Sequence, residues 1–205
     1  MMKRKRPITL HVPTQTLGLL IIVALVCVGV HYSSLAETWM WQRSALASGQ
    51  AWRVVTGNFI HHNLFHLLTN MTGLGVFGLM FYRHISAGTL ASLILWLACV
   101  VGLVMWWSPY QQYMGLSGVL YGLFMYGGIS TIHTPSGKWI ALITSVKCVG
   151  DALLGQSLPM RAALGIDIAH LAHAGGIVGA LAFFAIKQRI QRRTISSKNT
   201  DLALS

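Results

Sequence analysis

The chain has 205 residues, of which 54% are hydrophobic and only 9% charged, against about a quarter in an ordinary soluble domain. A soluble fold needs a charged skin that this composition cannot supply, so the chain reads as an all-α, polytopic membrane protein with one compact domain. Its net charge of +11 does not point to nucleic acid, because Lys3, Arg4, Lys5 and Arg6 cluster before the first apolar run and Lys187, Arg189, Arg192, Arg193 and Lys198 after the last, the pattern of basic tails flanking membrane spans.

In chain order, residues 1–16 form a basic segment expected on the cytoplasmic side, followed by a first span over 17–32. Ser34-Leu35-Ala36 resembles a signal-peptide cleavage site, but the span is expected to be retained. Its removal would leave an odd number of spans and put the basic C-terminus outside, against the positive-inside rule. Residues 35–62 are too polar to span. With Trp39, Trp41, Trp52, Arg43 and Arg53 they read as a partly helical loop at the outer membrane face, its aromatics at the interface. A second span is expected over 63–82, a third over 87–107 and a fourth over 115–132. A fifth, over 138–154, is interrupted by Lys147 and Asp151, which lie four apart on one helical face and so can pair. Residues 155–164 read as an outer loop, and 165–186 as the sixth span. The expected division is 1–16, a membrane domain over 17–187, and a basic cytoplasmic tail over 188–205. An even number of spans puts both ends on one side, as the charges require. Cys27, Cys99 and Cys148 lie in apolar runs without metal-ligand spacing and read as packing residues.

Polar groups inside spans are costly and usually functional, and three groups stand out. Gly115-Leu116-Ser117-Gly118 opens the fourth span, where unsatisfied backbone N–H groups carry partial positive charge; small residues there also suit simple close packing. His173, in Ala172-His173-Ala174-Gly175-Gly176 of the sixth span, has the side chain best suited to accept a hydroxyl proton near neutral pH, though a buried histidine can equally bond a neighbouring helix. His66 and Asn70 share one face of the second span. They can act as donors to a developing oxyanion or as interhelical glue. A metal reading would join His61, His62, His66 and His173, or pair His170 with His173. Nucleophile, base and oxyanion donors together are the parts that covalent hydrolysis requires.

With these residues in hand, the chain resembles the rhomboid intramembrane serine proteases over about Trp52 to Gly179. Trp52-Arg53 resembles the family's W-R motif. His61, His66 and Asn70 follow its H-x4-H-x3-N spacing. Gly115, Ser117 and Gly118 follow its G-x-S-G motif, and Ala172-His173 with Gly175 and Gly176 its A-H-x-G-G. The resemblance implies Ser117 as nucleophile and His173 as general base of a dyad without a carboxylate. It implies an oxyanion site from His66, Asn70 and the backbone N–H of Ser117, a structural role for His61, and Tyr121 packed on the catalytic histidine. It implies membrane-anchored protein substrates within the bilayer and no cofactor or metal. Two positions depart from the family: Gln50 stands where a glutamate is frequent, and Ala180 where a glycine is. Within the family, Thr56-Gly57, the Gly115–Leu120 motif and the run of Asp167, His170 and His173 resemble the rhombosortase subgroup. That subgroup implies processing of bacterial surface proteins that end in Gly-Gly, a transmembrane helix and a basic tail, and so a location in the bacterial inner membrane. The competing reading is a non-catalytic rhomboid-like protein that binds transmembrane helices, or a histidine-lined metal transporter. A retained serine and histidine argue against the first, and the scarcity of carboxylates near the histidines against the second.

Overall fold

The structure, a computed structural model, describes residues 14–154 and 169–203. Among these residues six long helices carry the fold: α1 (Thr14–His31), α5 (Leu64–Phe81), α6 (Ala87–Val104), α7 (Ser117–Ser130), α8 (Pro135–Leu154) and α9 (His170–Ala203). Between α1 and α5 lie three short helices, α2 (Ala36–Trp39), α3 (Arg43–Ala47) and α4 (Arg53–Thr56). Local chemistry sets the starts. The Asn63 side chain accepts from the His66 N–H to cap α5, and Ser86 does the same from Thr89 for α6. Thr134 accepts from the Gly137 N–H while Pro135 opens α8; a proline suits a first helical position because its missing N–H would have no intrahelical partner there. The fifth helix therefore starts three residues before the expected 138.

Among the described residues, four segments are long and apolar enough to cross a bilayer: Thr14–His31, Leu64–Phe81, Ala87–Trp107 and His170–Thr194. The other two expected spans are helical but differ in kind. The 14 residues of α7 reach only about 21 Å at 1.5 Å per residue, and nine of them are buried, because α7 is the central helix, packed against α5, α6, α8 and α9. In α8 the charges of Lys147 and Asp151 lower the apolar character. The core is a set of helical stripes: Leu67, Leu74, Phe77 and Phe81 of α5, Leu90, Leu93 and Leu97 of α6, and Val119 and Leu123 of α7, with Leu20 and Val23 of α1 against them. Large apolar side chains such as Leu25, Leu79, Leu103, Ile143 and Val178 point outward. Acyl chains, unlike water, make that surface favourable. The chain is an integral membrane protein.

The segment between α1 and α5 is folded down onto one end of the bundle. Strand β1 (Trp41–Gln42) pairs antiparallel with β2 (Gln112–Tyr113), Trp41 opposite Tyr113. Trp41 corrects the expectation of an interfacial aromatic: it is fully buried with Val101, Met105, Tyr113 and Ala172, and its Nε1–H donates to the Gly102 carbonyl at 2.8 Å. An indole can sit in a core only when its N–H finds such a partner. Trp52, by contrast, is more than half exposed. Buried Arg53 ties the segment together, donating to the carbonyls of Glu37 (2.8 Å) and Met40 (2.7 Å) and, through Nε, to Gln50 Oε1 at 2.7 Å. Gln50 thus supplies the acceptor oxygen that a glutamate would.

Candidate active site

The close approach of α7 and α9 is set by small residues. A Cβ on Gly176 would overlap the Gly118 carbonyl oxygen, and one on Gly118 would lie 2.9 Å from the Ala172 oxygen. Ala172 and Ala180 of α9 are fully buried. At this spacing two backbones touch directly, and side chains at the loop end of both helices face each other. Ser117, the first residue of α7, and His173, in the first turn of α9, meet there with Ser117 Oγ 3.0 Å from His173 Nε2. The imidazole is buried. Tyr121, one turn after Ser117, stacks on it with ring centroids 4.2 Å apart and planes 15° from parallel. The Tyr121 hydroxyl donates to Asp151 Oδ2 at 2.6 Å.

The entry to α7 is held in an uncommon shape. Gly115 has φ 134°, a conformation that L side chains rarely adopt, and a Cβ there would lie 2.7 Å from His66 Cε1. The Tyr113 phenol donates to the Gly115 carbonyl at 2.8 Å, and the Gly115 N–H donates to the Gly57 carbonyl at 3.2 Å. Burial pushes the Tyr113 pKa up, so the phenol keeps its donor proton. Gly118 is the residue on which α9 rests. Together they aim Ser117 into a half-open cavity of about 850 Å³ between α5, α7 and α8, lined, among others, by His62, His66, Asn70, Ser117, Tyr121, Thr144, Asp151 and His173.

His66 and Asn70 are both buried on the cavity side of α5. One Asn70 amide hydrogen is committed to the His66 carbonyl at 3.0 Å; a primary amide has a second. His61 stands behind them, buried, its ring edge-on to His66 with centroids 5.2 Å apart. Burial first, and then the neighbouring His66 and His31, push its pKa down to about 3, which keeps the ring neutral. His170 lies with its ring centroid 6.4 Å from that of His173, edge-on. Among the described residues no three His, Cys, Asp or Glu side chains converge as metal ligands would. Trp52 and Arg53 stand outside the cavity and shape the segment above it. The expected Lys147–Asp151 pair is present, with both carboxylate oxygens within 3.0 Å of Nζ. Its second partner, Tyr121, was not legible: the i, i+4 spacing shows which residues share a face of α8, but not which helix that face meets. Asp167, of the run with His170 and His173 that resembles the rhombosortase subgroup, lies outside the described residues.

A family model, the Rhomboid domain, matches residues 48–189. Three proteins named rhomboid protease GlpG are similar to the chain. That of Pectobacterium atrosepticum is 29% identical over 179 residues, covering 87% of this chain and 62% of that protein. That of Yersinia enterocolitica is 28% identical over 179 residues with the same coverage. That of Haemophilus influenzae is 22% identical over 152 residues, covering 71% of this chain and 74% of that protein. The chain thus spans less than two thirds of the length of two of the three relatives.

Proposed function

Because the chain belongs to the rhomboid family, we propose that it is an intramembrane serine endopeptidase in which Ser117 is the nucleophile and His173 the general base. The observation that carries this reading is the 3.0 Å approach of Ser117 Oγ to His173 Nε2 across the α7–α9 contact. A serine hydroxyl is a poor nucleophile until a base takes its proton, and that distance is within reach for the transfer. As Oγ attacks the scissile carbonyl carbon, its proton passes to Nε2. The oxygen that gains charge is met by the free N–H of Ser117 at the helix start and by donors from His66 and Asn70. His173 then returns the proton to the leaving amine. Water, deprotonated by the same imidazole, hydrolyses the acyl-enzyme.

The substrates are membrane-anchored proteins whose helix unwinds near the cavity. Helical peptide bonds are shielded, so glycine-rich cut sites, which give up helix at little cost, suit it. The basic ends of the chain favour a placement with both termini cytoplasmic, the site toward the outer face, and the bacterial inner membrane as location. Within the family, the residues that resemble the rhombosortase subgroup make Gly-Gly-bearing, C-terminally anchored surface proteins the substrate class. Purified protein in detergent should react with a serine-directed fluorophosphonate, and Ser117→Ala should not; His173→Ala should slow labelling by at least about 10³-fold. Co-expression with a Gly-Gly anchored protein should release a fragment whose mass places the cut beside Gly-Gly. Cleavage that survives Ser117→Ala overturns the reading.

A further inference from the structure

Asp151 stands beside the reacting pair although no carboxylate is needed for a serine–histidine dyad. For His173 Nε2 to accept from Ser117, the ring proton must sit on Nδ1. That Nδ1 is buried and makes no hydrogen bond, and Asp151 Oδ2 faces it at 3.9 Å. The same oxygen accepts from the Tyr121 hydroxyl, whose ring lies flat on the imidazole. We propose that Asp151 is a positioning residue for His173: it anchors Tyr121 against the imidazole and presents negative charge to the Nδ1 edge, favouring the Nδ1–H form and the imidazolium.

At 3.9 Å the contact is too long for a hydrogen bond, so in this state charge rather than a shared proton links the two groups. When Ser117 gives its proton to Nε2, the ring becomes a cation, and its attraction to the carboxylate draws Nδ1–H toward Oδ2. Catalytic hydrogen bonds commonly tighten only on the way to the transition state. The proton on Nδ1 stays there and Asp151 stays ionised throughout. Lys147 shares the carboxylate, its Nζ within 3.0 Å of both oxygens, but its side chain is 61% exposed and an exposed partner neutralises little, while Oδ2 also accepts from Tyr121 and faces His173. Asp151 comes from α8, an element that contributes neither the nucleophile nor the base, so the helix opposite the α7–α9 contact takes part in the chemistry.

This inference rests on the protease reading and has a separate test. The rate constant of fluorophosphonate labelling at saturation and the probe's half-saturation concentration are measured on the purified full chain. Asp151→Asn should lower the rate constant by about 10–100-fold with half-saturation unchanged, and Asp151→Glu should restore most of it; loss of folded structure alone would not be rescued by a longer carboxylate. Tyr121→Phe, which keeps the ring and removes the link, should fall between, and the double variant Asp151→Asn/Tyr121→Phe should label no slower than Asp151→Asn. An Asp151→Asn rate within about twofold of wild type overturns the inference. Where Asp151→Asn fails to fold, a Tyr121→Phe rate within that same margin does so. Wild type that labels no faster than Ser117→Ala overturns the protease reading itself, and Asp151 with it.

Discussion

Asn70 lines the cavity and has two amide hydrogens, one of which is bonded to the His66 carbonyl, so the side chain is held while the other hydrogen stays available. A donor fixed in advance loses nothing to reorganisation when charge develops, which is why such groups weigh heavily in acyl transfer. Asn70→Ala should therefore reduce fluorophosphonate labelling by about 10²–10³-fold, since the probe's phosphoryl oxygen occupies the oxyanion position, while thermal stability changes little. A variant that labels at the wild-type rate would remove Asn70 from the oxyanion site. Gln50 shows the same reasoning for structure: an acceptor oxygen at 2.7 Å from Arg53 Nε is what the position requires, and an amide provides it without a charge.

For the helices, the decisive contact is α7 on α9. Gly176 lies where any Cβ would overlap the Gly118 carbonyl, so Gly176→Val must push the two backbones apart. It should destabilise the protein by about 1–3 kcal/mol or more in thermal unfolding and abolish labelling, because a separation of 3.0 Å between Oγ and Nε2 does not survive such a shift. Gly75 provides the contrast. It is exposed on α5 with open space where a Cβ would stand, so Gly75→Ala should be neutral or stabilise by about 0.5–1 kcal/mol. Equal effects at the two sites would mean that close helix approach is not what positions the pair.

Across the whole molecule, the 32–63 segment and the bundle are joined at His61, whose neutral ring is buried against His66. An unfolded histidine titrates near 6.5, and this one near 3 because burial disfavours its charge. Between those values the unfolded chain binds the extra proton, so stability present above about pH 6.5 is lost as the pH falls toward 3, by about 1.4 kcal/mol per pH unit for this group. His61→Gln should flatten that part of the profile of unfolding temperature against pH between 7 and 5. A slope as steep in the variant as in wild type would mean that His61 does not set it.

Apolar run length placed the first three spans to within a few residues, 17–32, 63–82 and 87–107 against Thr14–His31, Leu64–Phe81 and Ala87–Trp107, because hydrocarbon leaves the backbone no partner but itself. The resemblance of the G-x-S-G, A-H-x-G-G and H-x4-H-x3-N spacings to rhomboid motifs marked Ser117, His173, His66 and Asn70 as candidates, and helical periodicity added that His66 and Asn70 share a face. What the tertiary structure decided lies between elements: that Trp41 is a core residue rather than an interfacial one, that Tyr113 and Gly57 hold Gly115 at the mouth of α7, and that Asp151 of α8 reaches Tyr121 and faces His173. Periodicity along one helix assigns a face. The neighbour that face meets, and the few tenths of an ångström that make a contact a hydrogen bond, are set by how all the helices pack at once.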